Sequence, residues 1–415
     1  MFLQSDTIEL HLRSRGRGKD LSAIGTSSLL VVNQNDSALV SIQEFIDAHP
    51  GEFIFFVFSY ELKDSIESLN SANPSFIPTP LAVLFTSEVV LERQQGRWIP
   101  VKGKDSTFNL SRLEEFESPL HAEELERPFA QDQSAGRLDR SDYVNKVDRI
   151  KEHIQKGDIY EMNFCTESRF ENIEIDPSKT FNRLLSLTNA PYSAYLRFEG
   201  LHLLCASPES YLEKKGLQLI SRPIKGTRKR DPDPSQDMAL KEDLQQDLKE
   251  RAENIMITDL VRNDLSRVAE KNSVRVRELC EVYTYDTVHQ MISTVECRIP
   301  ETLPLSEVFR ATFPMGSMTG APKVRAMELI ESLEDFRRGW FSGCIGYIDP
   351  KGDMTSNVII RSIVYDETHG RASISAGGAI TSLSDPEKEY EERMLKVEAI
   401  TRALFSSAQK RSHQE

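Results

Sequence analysis

The chain has 415 residues with 39% hydrophobic content, enough to bury a large core in one body or in a few smaller domains. Its 65 acidic and 51 basic residues leave a net charge of −14, which excludes a duplex binder that works by displacing counterions. Five cysteines with no C-x-x-C pair exclude a zinc ribbon or disulfide framework, and no signal-peptide core or spanning apolar run is present, so the expectation is a cytosolic protein without a membrane partner.

In chain order, the pattern predicts strands at Ser28 to Val32, Phe53 to Tyr60, Leu81 to Phe85 and Val89 to Glu92, with a helix over Val40 to Ala48. The segment 114–139 turns acidic and carries Pro128, Ser134 and Gly136, the composition of a linker. This divides the chain into an amino-terminal segment, 1–135, packed into the same body, a main domain, 136–408, and a polar tail, 409–415. Ser141 is the expected N-cap of a helix with an apolar face of Tyr143, Val147, Ile150 and Ile154, stopped by Gly157. Turns at Glu199-Gly200 and Lys215-Gly216 mark two hairpins, and further strands are expected at Gly343 to Asp349, Asn357 to Tyr365 and Ala372 to Ala376. Short turns in place of crossover helices predict an α+β fold, with large antiparallel sheets and helices packed on them.

The chemistry concentrates in four places. Lys225 lies between Pro223 and Gly226 at the end of a strand-like run; a lysine there acts as a nucleophile if burial or a cationic neighbour lowers its pKa, and Arg222 and Arg228 flank it. The alternative, a solvated basic island, is opposed by Asp231 and Asp233. Glu250 with Glu253 and Glu389 with Glu392 stand at i, i+3 spacing, the first pair on a helix expected from Asp237 to Val268, the second on one starting at Asp385-Pro386. Such pairs either complement a helix dipole or hold a Mg²⁺ ion, which takes carboxylates and keeps several waters. The glycines of the Gly316–Lys323 stretch free backbone N–H groups for an anion, although Ala321-Pro322 breaks a phosphate-loop signature. Gly377-Gly378 is read either as a bulge or as a close backbone approach to a ligand.

Six stretches together, Ser207 to Glu209, Pro223 to Thr227, Glu250 to Met256, Asp259 to Asp264, Gly316 to Lys323 and Ser375 to Ala379, resemble the chorismate-utilising enzymes, most closely the branch that makes 4-amino-4-deoxychorismate. The resemblance runs from about Ser141 to Ala403 and less distinctly through Phe58 to Lys63. It implies a single chorismate-binding fold and replacement of the C4 hydroxyl of chorismate by an amino group, on the route to p-aminobenzoate and folate. By position, it implies Lys225 as nucleophile, Glu209 as general acid and base, and His289 beside the ring hydroxyl. Glu253 and Glu392 become Mg²⁺ ligands, with Glu250 and Glu389 nearby or acting through water. Thr227, Thr319, Tyr347, Arg361, Gly377 and Gly378 become the residues that hold the other carboxylate and the enolpyruvyl group.

Three positions depart from the family pattern: Glu161, where glutamine or lysine is usual, and Arg393 and Leu395, where small polar residues are usual. Ammonia requires a source, and Gly343-Cys344-Ile345-Gly346 has the wrong spacing for a glutaminase elbow, so a separate glutamine amidotransferase subunit is expected. The alternatives are anthranilate synthase component I, whose sites resemble this one but carry a small residue where Lys225 stands, and a non-catalytic anion-binding scaffold.

Overall fold

The computed structural model describes residues 8–15, 17–33, 37–103, 113, 116, 139–405 and 409–410. The expected linker therefore lies outside the described residues apart from Phe116 and Asp139, as do the first seven residues and most of the expected tail.

Two ten-stranded sheets, antiparallel at every recorded pairing, form the body. Strands from the first hundred residues enter both: Glu9–Arg13 pairs with Tyr192–Phe198 in one sheet, and Ile54–Phe58 pairs with Cys344–Ile348 in the other. The run Ile54–Phe58 is apolar at every position because both of its faces are covered. Phe55 and Val57 join a core shared with Leu10, Leu196 and Leu203 of the first sheet. Ile54, Phe56 and Phe58 face a second core with Leu39 and Phe309 of helices Ala38–Ala48 and Leu305–Thr312. On the far face of the first sheet, helices Pro177–Thr188 and Pro386–Phe405 cover Leu204, Ile363 and Ile374. The layers are helix, sheet, sheet, helix.

Four local expectations change. The helix expected from Asp237 to Val268 is two helices, Pro234–Gln246 and Leu248–Ser266, because Asp247 adopts extended geometry and accepts from the Glu250 N–H as an N-cap. The single strand expected over Asn357 to Tyr365 is two, Met354–Val358 and Ser362–Asp366, one in each sheet; Arg361, at φ 53°, makes the crossing. Gly377 and Gly378 sit inside the strand Arg371–Ile380, paired with Cys165 and Phe164 of strand Glu161–Phe170. Asp139 replaces Ser141 as the N-cap of helix Arg140–Gln155, since its carboxylate reaches the N–H groups of Ser141 and Asp142. Among the described residues, no helix is long and apolar enough to cross a membrane.

Candidate active site

Both sheets and two helices converge on a cleft of about 800 Å³. One wall is the strand Ile224–Lys229, which pairs with Val288–Arg298 through a register shift between Ile224 and Thr227. The shift places Lys225 and Gly226 in a bulge, where Gly226 takes φ 83° and Lys225 turns into the cleft. The opposite walls are the first turns of Leu248–Ser266, the strand stretch Ser375 to Ala379 and the inward face of Pro386–Phe405.

Lys225 has carboxylates for neighbours and no flanking arginine. Its Nζ donates to Glu161 Oε1 at 3.2 Å. Arg222 is taken by Glu213 at 2.6 Å, and Arg228 by Asp243 at 2.9 Å and Asp247 at 2.7 Å, so neither serves as the cationic neighbour expected from the sequence. Burial by itself pulls the Lys225 pKa down, but Glu161, Glu253 and Glu209 outweigh it and hold the group above the ordinary lysine value. The resting side chain is an ammonium ion.

Glu209 lines the same cleft and is buried. Burial pushes its pKa up to about 7, against smaller opposing effects from Ser317 and Lys225. A carboxyl near neutrality both gives and takes a proton at cellular pH, which is what general acid–base catalysis requires.

All four glutamates of the two helical pairs line the cleft. Burial raises the Glu253 pKa to about 7, with Lys225 opposing and Glu161 reinforcing. Its Oε1 is buried with no hydrogen-bond partner and has only the Lys249 ammonium at 3.7 Å. Lys249 also reaches Glu389 at 3.4 Å, and Lys396 pairs with Glu392 at 2.7 Å. Desolvation in the cleft would raise Glu392, whose side chain is still half exposed, yet Lys396 outweighs it and the pKa is lowered. Three of the carboxylates thus face two ammonium groups, Glu250 faces Arg228 at 3.7 Å, and the buried unpartnered oxygen on Glu253 suits a hard divalent cation. Among the described residues, no group of three His, Cys, Asp or Glu side chains is close enough to hold a metal alone. Mg²⁺ needs only one or two carboxylates when water and substrate complete its shell, so the donor set fits that ion.

The remaining predicted residues divide. Thr227 is on the rim, and Arg361, Gly377 and Gly378 line the cleft. Burial lowers the Arg361 pKa; its Nη1 donates to the Lys396 carbonyl at 3.1 Å. His289, Thr319 and Tyr347 are not among the residues that line it. His289 points to the other side of its strand, bonded to Asp237 at 2.9 Å and Thr284 at 3.1 Å, and Gln290, next in the alternation, faces the cleft instead. Thr319 donates to the carbonyls of Met315 and Gly316, and Tyr347 lies in the core between the sheets with its hydroxyl accepting from the Lys19 N–H. Lys249 and Lys396 escaped the sequence reading, although each stands one helical turn from a predicted glutamate, a pairing signal visible in the sequence. Of the two residues that depart from the family pattern in the last helix, Arg393 turns away to Ser168 at 2.8 Å, whereas Leu395 lines the cleft.

A sequence profile of the family described as chorismate binding enzyme matches residues 8–402. The chain belongs to the chorismate-binding enzymes. It is 43% identical over 278 residues to the chloroplastic aminodeoxychorismate synthase of Arabidopsis thaliana, which covers 66% of this chain and 30% of that one. It is 33% identical over 372 residues to aminodeoxychorismate synthase component 1 of Bacillus subtilis (strain 168), covering 87% of this chain and 78% of that one. The chain spans 58% of the corresponding Escherichia coli (strain K12) component, so it matches well under two thirds of several curated relatives. The fold is that of anthranilate synthase component I from Streptococcus pneumoniae TIGR4, with a TM-score of 0.74 at 24% identity over 97% of this chain and 94% of the other. A menaquinone-specific isochorismate synthase from Escherichia coli shares it at a TM-score of 0.72 and 16% identity, over 97% and 89% of the two chains.

Proposed function

We propose that this protein aminates chorismate to 4-amino-4-deoxychorismate, as a component that receives ammonia from a separate glutamine amidotransferase. The observation that carries the reading is Lys225 inside the cleft, within reach of Glu161 and on the same wall system as Glu209 and Glu253. The curated relatives named as aminodeoxychorismate synthases support it. Anthranilate synthesis remains the second reading because the fold is shared with a solved enzyme of that name, and Lys225 is what disfavours it.

In this reading the Lys225 ammonium first gives its proton to Glu161, the acceptor at 3.2 Å. The free amine attacks the ring while protonated Glu209 gives its proton to the departing C4 hydroxyl, which leaves as water. Ammonia then displaces the lysine nitrogen, the ring ammonium returns a proton to Glu209, and Glu161 returns its proton to the freed Lys225 amine, closing the proton balance. The half-buried Arg361 guanidinium supplies a planar fork for a substrate carboxylate. Glu253 and Glu392 would hold a magnesium ion, with Glu250 and Glu389 behind them, and the ion would offset charge on a second substrate carboxylate. A cytosolic setting agrees with five free, buried cysteines.

Incubation with chorismate, Mg²⁺ and ammonium tests the proposal through the product: 4-amino-4-deoxychorismate is expected, and anthranilate or unchanged chorismate overturns it. Wild-type protein quenched with chorismate and no ammonia should carry a mass adduct that maps to Lys225, and Lys225→Ala should carry none.

A further inference from the structure

Two of the six motif stretches end in residues that the site above leaves unused. Asp264 closes Asp259 to Asp264, and Lys323 closes Gly316 to Lys323. The structure joins them in a buried ion pair, and Lys323 also donates to the Thr312 carbonyl at 3.3 Å. Asp264 Oδ2 takes the ammonium, which leaves Asp264 Oδ1 buried without a hydrogen-bond partner. Ser317 Oγ is a second such atom, and it lies near enough to Glu209 to lower that pKa.

Asp264 and Ser317 both line one small cavity of about 20 Å³, and Glu209 lines it too. Glu209 and Ser317 also line the large cleft, so they form the partition between the two spaces. A buried water needs roughly 10–15 Å³ and roughly two to four polar partners, and buried polar groups rarely go without one. A single water in this space would have three polar side chains for partners, accepting from the Ser317 hydroxyl and donating to Glu209 and to Asp264.

We propose that ordered water in this cavity joins Glu209 to Asp264, so that Asp264, held by Lys323, is a positioning residue that turns the proton-bearing oxygen of Glu209 toward the substrate cleft. The proposal rests on the acid–base role given to Glu209 above. With one carboxyl oxygen occupied by the water, the other must carry the proton, and it is the one facing the ring. The groups around the two carboxyls are few: Glu209 faces Lys225 across the cleft, and Asp264 faces Lys323, with Arg267 and Glu67 contributing from farther away.

The test uses the full chain with Ser317→Ala, Asp264→Asn and Lys323→Met, assayed with chorismate, Mg²⁺ and ammonium. Ser317→Ala and Asp264→Asn should lower kcat on the order of tenfold because a general acid is misaimed, and Asp264→Asn, outside the cleft lining, should leave KM for chorismate little changed. Asp264→Asn leaves the Lys323 ammonium uncompensated and should move the basic limb of the pH profile of kcat/KM to lower pH; Lys323→Met should move it to higher pH. Unmoved limbs with unchanged kcat overturn the proposal, as does a loss of rate that only follows a loss of thermal stability. Ser317→Ala removes a single hydroxyl, so it keeps the test open if the ion-pair variants fail to fold. A crystal structure of the wild-type protein that resolves waters decides the cavity independently of turnover. Water bonded to Glu209 and Asp264 supports the inference, and a dry cavity overturns it even if chorismate is aminated.

Discussion

Lys225 and the carboxyls around it set the chemistry at the scale of single residues. A lysine among arginines would be poised as a free amine, whereas Glu161 and its neighbours hold Lys225 as an ammonium, so the proposed attack would begin with loss of a proton to a neighbour. The metal reading rests on Glu253 and Glu392: if they hold Mg²⁺, Glu392→Gln should lose most activity and regain part of it only at much higher Mg²⁺. Full activity of Glu392→Gln at low micromolar Mg²⁺ removes that assignment. Glu209 makes a separate prediction about stability. Its folded pKa of about 7 lies above the ordinary glutamate value, so the folded state binds a proton that the unfolded chain releases. This contribution is fully present below about pH 4.3 and is lost as pH rises through the folded value. Glu209→Gln should therefore flatten the fall in stability between about pH 5 and about pH 7.5, measured as the shift in denaturant midpoint.

At the scale of elements, two adjacent glycines on one strand have different reasons to be there. A Cβ on Gly377 would stand 2.1 Å from the Phe164 carbonyl oxygen, which belongs to the paired backbone and cannot yield. On Gly378 it would meet only the ends of Glu389 and Lys396, at 3.2 and 3.5 Å. Gly377→Ala should cost about 2–3 kcal/mol or more and lower Tm by several degrees. Gly378→Ala should keep a Tm close to wild type while losing activity, because its methyl group narrows the cleft between two site residues. Equal Tm losses in both variants would refute this division. Hairpins were legible at this scale: Tyr192–Phe198 with Leu201–Ser207, and Ser210–Lys215 with Gln218–Ser221, follow from turn glycines between apolar runs. The break at Asp247 was not, since an aspartate inside a charged helical pattern reads equally as a surface position or as a cap.

For the whole molecule, the expectation is that the chain alone uses ammonium salts, with a rate that rises with pH as more NH₃ becomes available, and gains glutamine-dependent activity only with an amidotransferase partner. Glutamine hydrolysis by the isolated chain would refute the reading. All five cysteines are buried, and burial pushes the pKa of each above the ordinary thiol value, the opposite of an activated nucleophile.

The amino-acid sequence by itself determined the fold class, the cleft-lining motifs and the spacing of the two glutamate pairs. These depend on period, turn residues and local order along the chain. The family resemblance added Glu209 and Arg361 to Lys225 and the four glutamates, and all seven line one cleft. Only the tertiary structure decided that Lys225 sits among carboxylates, that Gln290 and not His289 faces the cleft, and that Asn357 to Tyr365 divides between two sheets. Each of these depends on partners distant in sequence. A pKa follows from which charges converge in space, the face of a strand from its register, and the sheet a strand joins from which neighbour has room for it.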